Sequence, residues 1–130
     1  MIGLDTNVII RYIVQDEPKQ ARKASKVIEG LTKEEPGYIS FPVLCELVWV
    51  LERAYGYEKS VIVQVIQQLL STAELQVQQP EIVWAALRVF STSRAGFADY
   101  MIVHINQAAG CSQTLTFDRK AADHPLFRVL

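Results

Sequence analysis

The stretch GYISFPVLCELVWVLERAYG, residues 37–56, decides the fold. Its first four residues read as a short strand. From Phe41 to Tyr55 the apolar residues Leu44, Leu47, Val48 and Leu51 recur at helical spacing, and Gly56 ends the run. Inside that helix stands one carboxylate, Glu46. Its neighbours on the same helical face are Pro42, Val43, Trp49 and Val50, none of which can pair with it. The nearest cation on its stripe, Arg53, lies about 10 Å away by helical rise. An unpaired carboxylate is costly to bury. Glu46 therefore faces a solvated cleft or meets a partner from another part of the fold.

The same alternation extends outward in both directions. MIGL (1–4) reads as a strand and TNVIIRYIV (6–14) as a helix that stops before Pro18. PKQARKASKVIEGL (18–31) opens with Pro, which suits the first helical turn, and carries Ala21, Ala24, Ile28 and Leu31 at helical spacing. Beyond residue 56, EKSVIVQVIQQLL (58–70) places Val61, Ile62, Val65, Ile66 and Leu69 on one wide face. LQV (75–77) is a short strand, and PEIVWAALRVFSTS (80–93) is another helix opened by Pro. ADYMIVHINQAAG (98–110) is a helix ended by Gly110. TLTF (114–117) is a strand, RKAAD (119–123) a short helix and FRVL (127–130) a final strand. Strands alternating with helices predict an α/β fold with a parallel sheet covered by helices.

The 130 residues suit a single domain, 1–130, without linker, repeat or low-complexity segment. A formal net charge of −1 excludes a global basic field, so any nucleic-acid site is a local patch. Cys45 and Cys111 form no Cys-x-x-Cys pair and indicate neither a zinc site nor a disulfide framework. That usage fits a reducing compartment. No segment is long enough to span a membrane, and the N-terminus lacks a leader pattern, so a cytoplasmic protein is expected.

In parallel α/β sheets, ligands sit outside the carboxyl ends of the strands. Asp5 directly follows MIGL and Asp118 directly follows TLTF, so parallel strands deliver both to one edge. Glu46 lies in the first turns of the helix after GYIS, and Asp99 opens the helix YMIVHI. Asp5, Asp99 and Asp118 each also stand at a helix start, where Asp is a favoured cap. Four carboxylates drawn together repel unless a cation neutralises them. Mg²⁺ or Mn²⁺ suits carboxylate and water ligands, and such a site activates water and polarises a phosphoryl oxygen. Thr6, Asn7 and Thr116 stand beside these acids, either to orient them or as turn and cap residues.

The segments LDTNVI (4–9), LCELVWVL (44–51), GFADYMI (96–102) and TLTFDRKAA (114–122), in this order, resemble the PIN-domain family. Within it they look most like the VapC-type toxins of bacterial toxin–antitoxin pairs. The resemblance implies a three-layer sandwich, with a mostly parallel central sheet of four to five short strands flanked by helices. It implies metal-dependent endoribonuclease activity, by activated water, on RNA phosphodiesters. Asp5, Glu46, Asp99 and Asp118 would be its catalytic acids, with Asp5, Asp99 and Asp118 on the metal and Thr6, Asn7 and Thr116 in support. It also implies a homodimer and a small cognate antitoxin. Many relatives carry a further acid just after the Thr-x-Asp motif. Here Arg119 and Lys120 follow and Asp123 comes later, so one tightly held ion is expected.

The alternative is a PIN-fold module that binds RNA or protein without catalysis. Arg11, Arg94 and Arg119 are the candidates for phosphate contact. Lys19, Arg22, Lys23 and Lys26 form a basic stripe best explained as a solvated outer face. Trp49 and Trp84 are expected in the core or an interface. His104 and His124 lack metal-type spacing.

Overall fold

In the computed structural model, which describes residues 1–130, a short strand, β2 (Gly37–Ile39), sits at the centre of a three-stranded sheet. Its neighbours are β1 (Ile2–Gly3) and β3 (Leu75–Val77), both parallel to it. The registers place Gly37 between Ile2 and Leu75. Parallel strands need a crossover. Here each crossover is a helix pair: α1 (Thr6–Val14) and α2 (Pro18–Glu29) between β1 and β2, then α3 (Phe41–Arg53) and α4 (Lys59–Ser71) between β2 and β3.

Gly37 is closely packed by leucine side chains. A β-carbon there would lie 2.8 Å from the terminal methyls of both Leu4 and Leu31, and 3.1 Å from one of Leu75. In the same unit, Ile39, Leu44, Leu47, Leu51, Ile62 and Ile66 are fully buried. Each such side chain contributes about 1.5–3 kcal/mol through burial. The broad apolar face read on α4 narrows in the structure to Ile62, Ile66 and Leu69, while Val61 and Val65 lie at its rim.

Caps fix where these helices begin. The Asp5 carboxylate accepts the Thr6 N–H at 2.8 Å to open α1. Glu17 accepts the N–H groups of Lys19 and Gln20, at 3.3 and 2.8 Å, to open α2. Pro18 supplies no N–H of its own. Helix α3 ends near Gly56, whose φ of 65° is left-handed, a conformation glycine adopts at no steric cost.

Chain contacts gather residues Met1–Gln78 into one unit and Gln79–Leu130 into a second. In the second, α5 (Pro80–Thr92) packs on α6 (Phe97–Ala108), with the rings of Phe90 and Phe97 edge to face at 5.7 Å. Gly110, with φ 105°, terminates α6. Strands β4 (Thr114–Thr116) and β5 (Phe127–Val129) pair in parallel, joined by a 3₁₀ turn at Arg119–Ala121. The Asn106 side-chain N–H donates to the Thr114 hydroxyl at 3.1 Å and ties α6 to β4. All five predicted strands form, hydrogen-bonded as a set of three and a set of two, with parallel pairing within each set. The short helix expected at 119–123 is a single 3₁₀ turn. No helix is long and apolar enough to cross a membrane.

Candidate active site

Asp5 leaves the carboxyl end of β1. Ser40, the residue before α3, leaves the carboxyl end of the parallel neighbour β2. The Leu4 N–H donates to the Tyr38 carbonyl at 3.0 Å, so the two exits share one edge of the sheet. Glu46 stands on α3 about 8 Å of helical rise beyond its start. It is exposed, and no hydrogen bond or ion pair engages it. The question raised by the apolar run is answered by solvation: the carboxylate emerges on the open side of the helix, beside Trp49. That indole is 60% exposed, so Trp49 is not a core residue, whereas Trp84 is half-buried.

The three aspartates share one arrangement. Asp5 Oδ1 accepts the Thr6 N–H at 2.8 Å. Asp99 Oδ2 accepts the Gly96 N–H at 3.0 Å. Asp118 Oδ1 accepts the Lys120 N–H at 2.9 Å. In each, one oxygen is pinned by the backbone of a helix start and the other accepts no hydrogen bond. Capping and ligand binding, alternatives from sequence alone, are therefore compatible at all three positions. At Asp99 the capping is one-sided, since Gly96 has no side chain to return the bond.

Thr116 holds Asp118 in place. Its hydroxyl accepts the Asp118 N–H at 3.0 Å, and its carbonyl accepts the Leu130 N–H at 2.9 Å. Thr6 differs. It is 2% exposed, and its hydroxyl is the buried side-chain polar atom without a hydrogen-bond partner. Asn7 is exposed and borders a recess of about 270 Å³ with Arg11 and Lys23.

Arg11 is already engaged. Its Nε donates to Gln20 at 2.6 Å, and its Nη1 reaches the Tyr55 hydroxyl at 3.2 Å and Asp16 at 3.4 Å. Tyr55 in turn donates to Asp16 at 2.8 Å. This network ties α1 to the chain after α3, a structural use that sequence spacing does not reveal. Arg94 and Arg119 are exposed and enter no ion pair. Lys19, Arg22, Lys23 and Lys26 are all exposed on α2, as a solvated face requires.

No three side chains among His, Cys, Asp and Glu gather in an arrangement that could hold a metal ion. The acids fit a hard divalent cation in kind, being oxygen donors with an open lone pair and no competing thiolate or imidazole. Two groups escape a search for charged motifs. Phe117, between Thr116 and Asp118, is 81% exposed. Its signal was the aromatic residue set between two polar ones at the end of a strand. The other is a cavity of about 220 Å³ whose walls include Arg94, Tyr100, Lys120 and His124. Its residues are scattered between Thr92 and His124, and no spacing announces them.

Two findings place the chain among known proteins. A family model described as the PIN domain matches residues 2–125, and the chain belongs to that family. It is also 24% identical over 117 residues to a VapC ribonuclease of Aquifex aeolicus (strain VF5), covering 90% of this chain and 87% of the relative.

Proposed function

We propose that this chain is a metal-dependent endoribonuclease and the toxin of a toxin–antitoxin pair. The observation that carries the reading is the similarity to a VapC ribonuclease along nine-tenths of the chain. The family match runs through both contact units, which supports treating residues 1–130 as one functional PIN-like domain. The relative's name brings with it RNA as substrate. A small antitoxin, a homodimeric state and a cytoplasmic setting complete the proposal.

In this reading Asp5, Glu46, Asp99 and Asp118 are the catalytic acids. Asp5, Asp99 and Asp118 would be the residues that hold a Mg²⁺ or Mn²⁺ ion. Such an ion supplies an activated water and charge stabilisation at the phosphate. The backbone N–H on each aspartate fixes its orientation before anything binds, which limits reorganisation during the reaction. Glu46, free of internal partners, is available to accept a proton from the attacking water. Thr116 positions Asp118. Thr6 and Asn7 support Asp5 from the first turn of α1, and Arg119 is a candidate contact for RNA phosphate.

Purified protein, freed of any partner, is expected to cleave a structured RNA with Mg²⁺ or Mn²⁺. Asp5→Asn and Asp99→Asn should each lower the rate by at least about a hundredfold, the scale of losing acid–base or electrostatic assistance. Circular dichroism should show the fold retained. Undiminished cleavage by either variant, or by the wild type in excess chelator, removes the basis of the reading.

The absence of a gathered ligand trio favours keeping a second reading, a PIN-fold module that binds RNA or protein without catalysis. Titration calorimetry with Mn²⁺ separates the two. Stoichiometric binding lost in Asp5→Asn supports the nuclease, and no binding heat supports the module.

A further inference from the structure

Beside the acids of the second unit lies a cavity of about 220 Å³, below the usual 300–1,000 Å³ of sites that enclose a whole small molecule. It suits a single small group. Its walls come from the α5–α6 turn (Thr92, Ser93, Arg94) and from the chain around the 3₁₀ turn (Lys120, Asp123, His124), with Tyr100 between. We propose that this cavity binds a phosphate group of the RNA backbone next to the cleaved bond. The proposal rests on the nuclease reading for the identity of the ligand, and on the cavity alone for its charge.

The chemistry is that of an oxyanion pocket. Arg94 offers a planar fork of donors suited to phosphate, and Lys120 a compact positive charge. Both side chains are exposed, and neither enters an ion pair. Thr92 and Ser93 complete the same wall. Tyr100, 1% exposed, accepts the Ala95 N–H at 3.2 Å, and no acceptor takes its own hydroxyl hydrogen. His124 accepts the Leu126 N–H on Nδ1 at 3.2 Å, so its neutral ring carries the proton on Nε2. Burial, then the neighbouring His104, lowers the His124 pKa, which leaves the cavity's positive charge to Arg94 and Lys120. The one opposing group is the Asp123 carboxylate. It pairs with neither cation, so it leaves their charge unspent.

The position matters as much as the charge. The backbone N–H of Lys120 is the donor that pins Asp118, and Tyr100 directly follows Asp99. A phosphate held in the cavity therefore sits against neighbours of two proposed catalytic acids.

The test is a titration of inorganic phosphate into the full-length protein, followed by NMR of the Arg94 and Lys120 side chains and the Ser93 amide. A second arm uses a short single-stranded oligoribonucleotide bound to Asp5→Asn protein in chelator. Phosphate should shift all three signals, and glutamate should not. Arg94→Ala and Lys120→Ala should each weaken oligonucleotide affinity about tenfold, as expected for one charge-assisted contact. Because both serve one phosphate, the double variant should lower the salt slope by only about 0.7. Asp123→Asn should tighten binding about two- to fivefold by removing a like charge. Arg88→Ala, outside the cavity, is the control and should change nothing. Silence of all three signals, or an equal response to glutamate, overturns the phosphate site. A response to phosphate that the oligonucleotide does not reproduce overturns the assignment to RNA. Phosphate binding in a protein that cleaves no RNA leaves the cavity standing and removes the nuclease. Cleavage without phosphate binding does the reverse.

Discussion

At the scale of single residues, the site depends on which oxygen atoms are already spoken for. A buried hydroxyl without a partner costs about 1–3 kcal/mol. The buried Thr6 hydroxyl makes no hydrogen bond within the chain. Thr6→Val keeps the shape and removes the hydroxyl, so the folded protein should be unchanged or up to about 1 kcal/mol more stable to urea, while cleavage falls. Lost stability would instead show that the hydroxyl has a structural partner. His124 gives a second prediction. Burial and His104 hold its imidazole below the ordinary value near 6.5, so the unfolded chain takes up the proton more readily than the folded one. Its contribution is whole above pH 6.5 and is lost as pH falls from there through the lowered folded value. The thermal midpoint should drop over that interval, and His124→Gln should flatten the drop. An unchanged slope in that variant would exclude His124 as its source. Residue identity makes Asp5, Asp99 and Asp118 legible in the sequence as helix caps. That each leaves an oxygen open is not legible, since it depends on hydrogen bonds whose acceptor atoms no spacing specifies.

At the scale of elements, periodicity carries most of the fold. Helices opened by proline and ended near glycine are readable because those residues act locally: Pro18, Pro42 and Pro80 in first turns, Gly56 and Gly110 with left-handed backbone after the last. The extent of a buried face is less readable. On α4 five apolar residues look equivalent, yet only three are buried, because burial is decided by what the neighbouring elements cover. Trp49 shows the same limit: its size suggests a core or interface residue, and its helical angle places it on the exposed side. The need for glycine at 37 is likewise tertiary, set by Leu4, Leu31 and Leu75 together. Gly37→Ala should lower unfolding free energy by about 1–3 kcal/mol, the usual cost of overpacking, and Gly37→Val by more. Wild-type stability in Gly37→Ala would mean that the three leucine ends yield without strain.

At the scale of the whole molecule, a net charge of −1 leaves the proposed attraction of RNA to local groups. Arg11 belongs to a network with Gln20, Asp16 and Tyr55, and the α2 lysines belong to a solvated face. Arg94, Arg119 and Lys120, all in the second unit, enter no ion pair. The four ordered motifs make the family legible, because they lie at strand and helix boundaries where the backbone itself presents the side chain. The cavity at Lys120 is not legible, because its walls meet only after folding.

The crowding at Gly37 has a genetic corollary. Every missense change at that codon adds at least one carbon to a space that three leucines already fill. If the toxin reading holds, a selection for cells that survive expression of this protein should yield inactivating alleles at codon 37 as well as at the acidic codons, recognisable by poor accumulation of the chain.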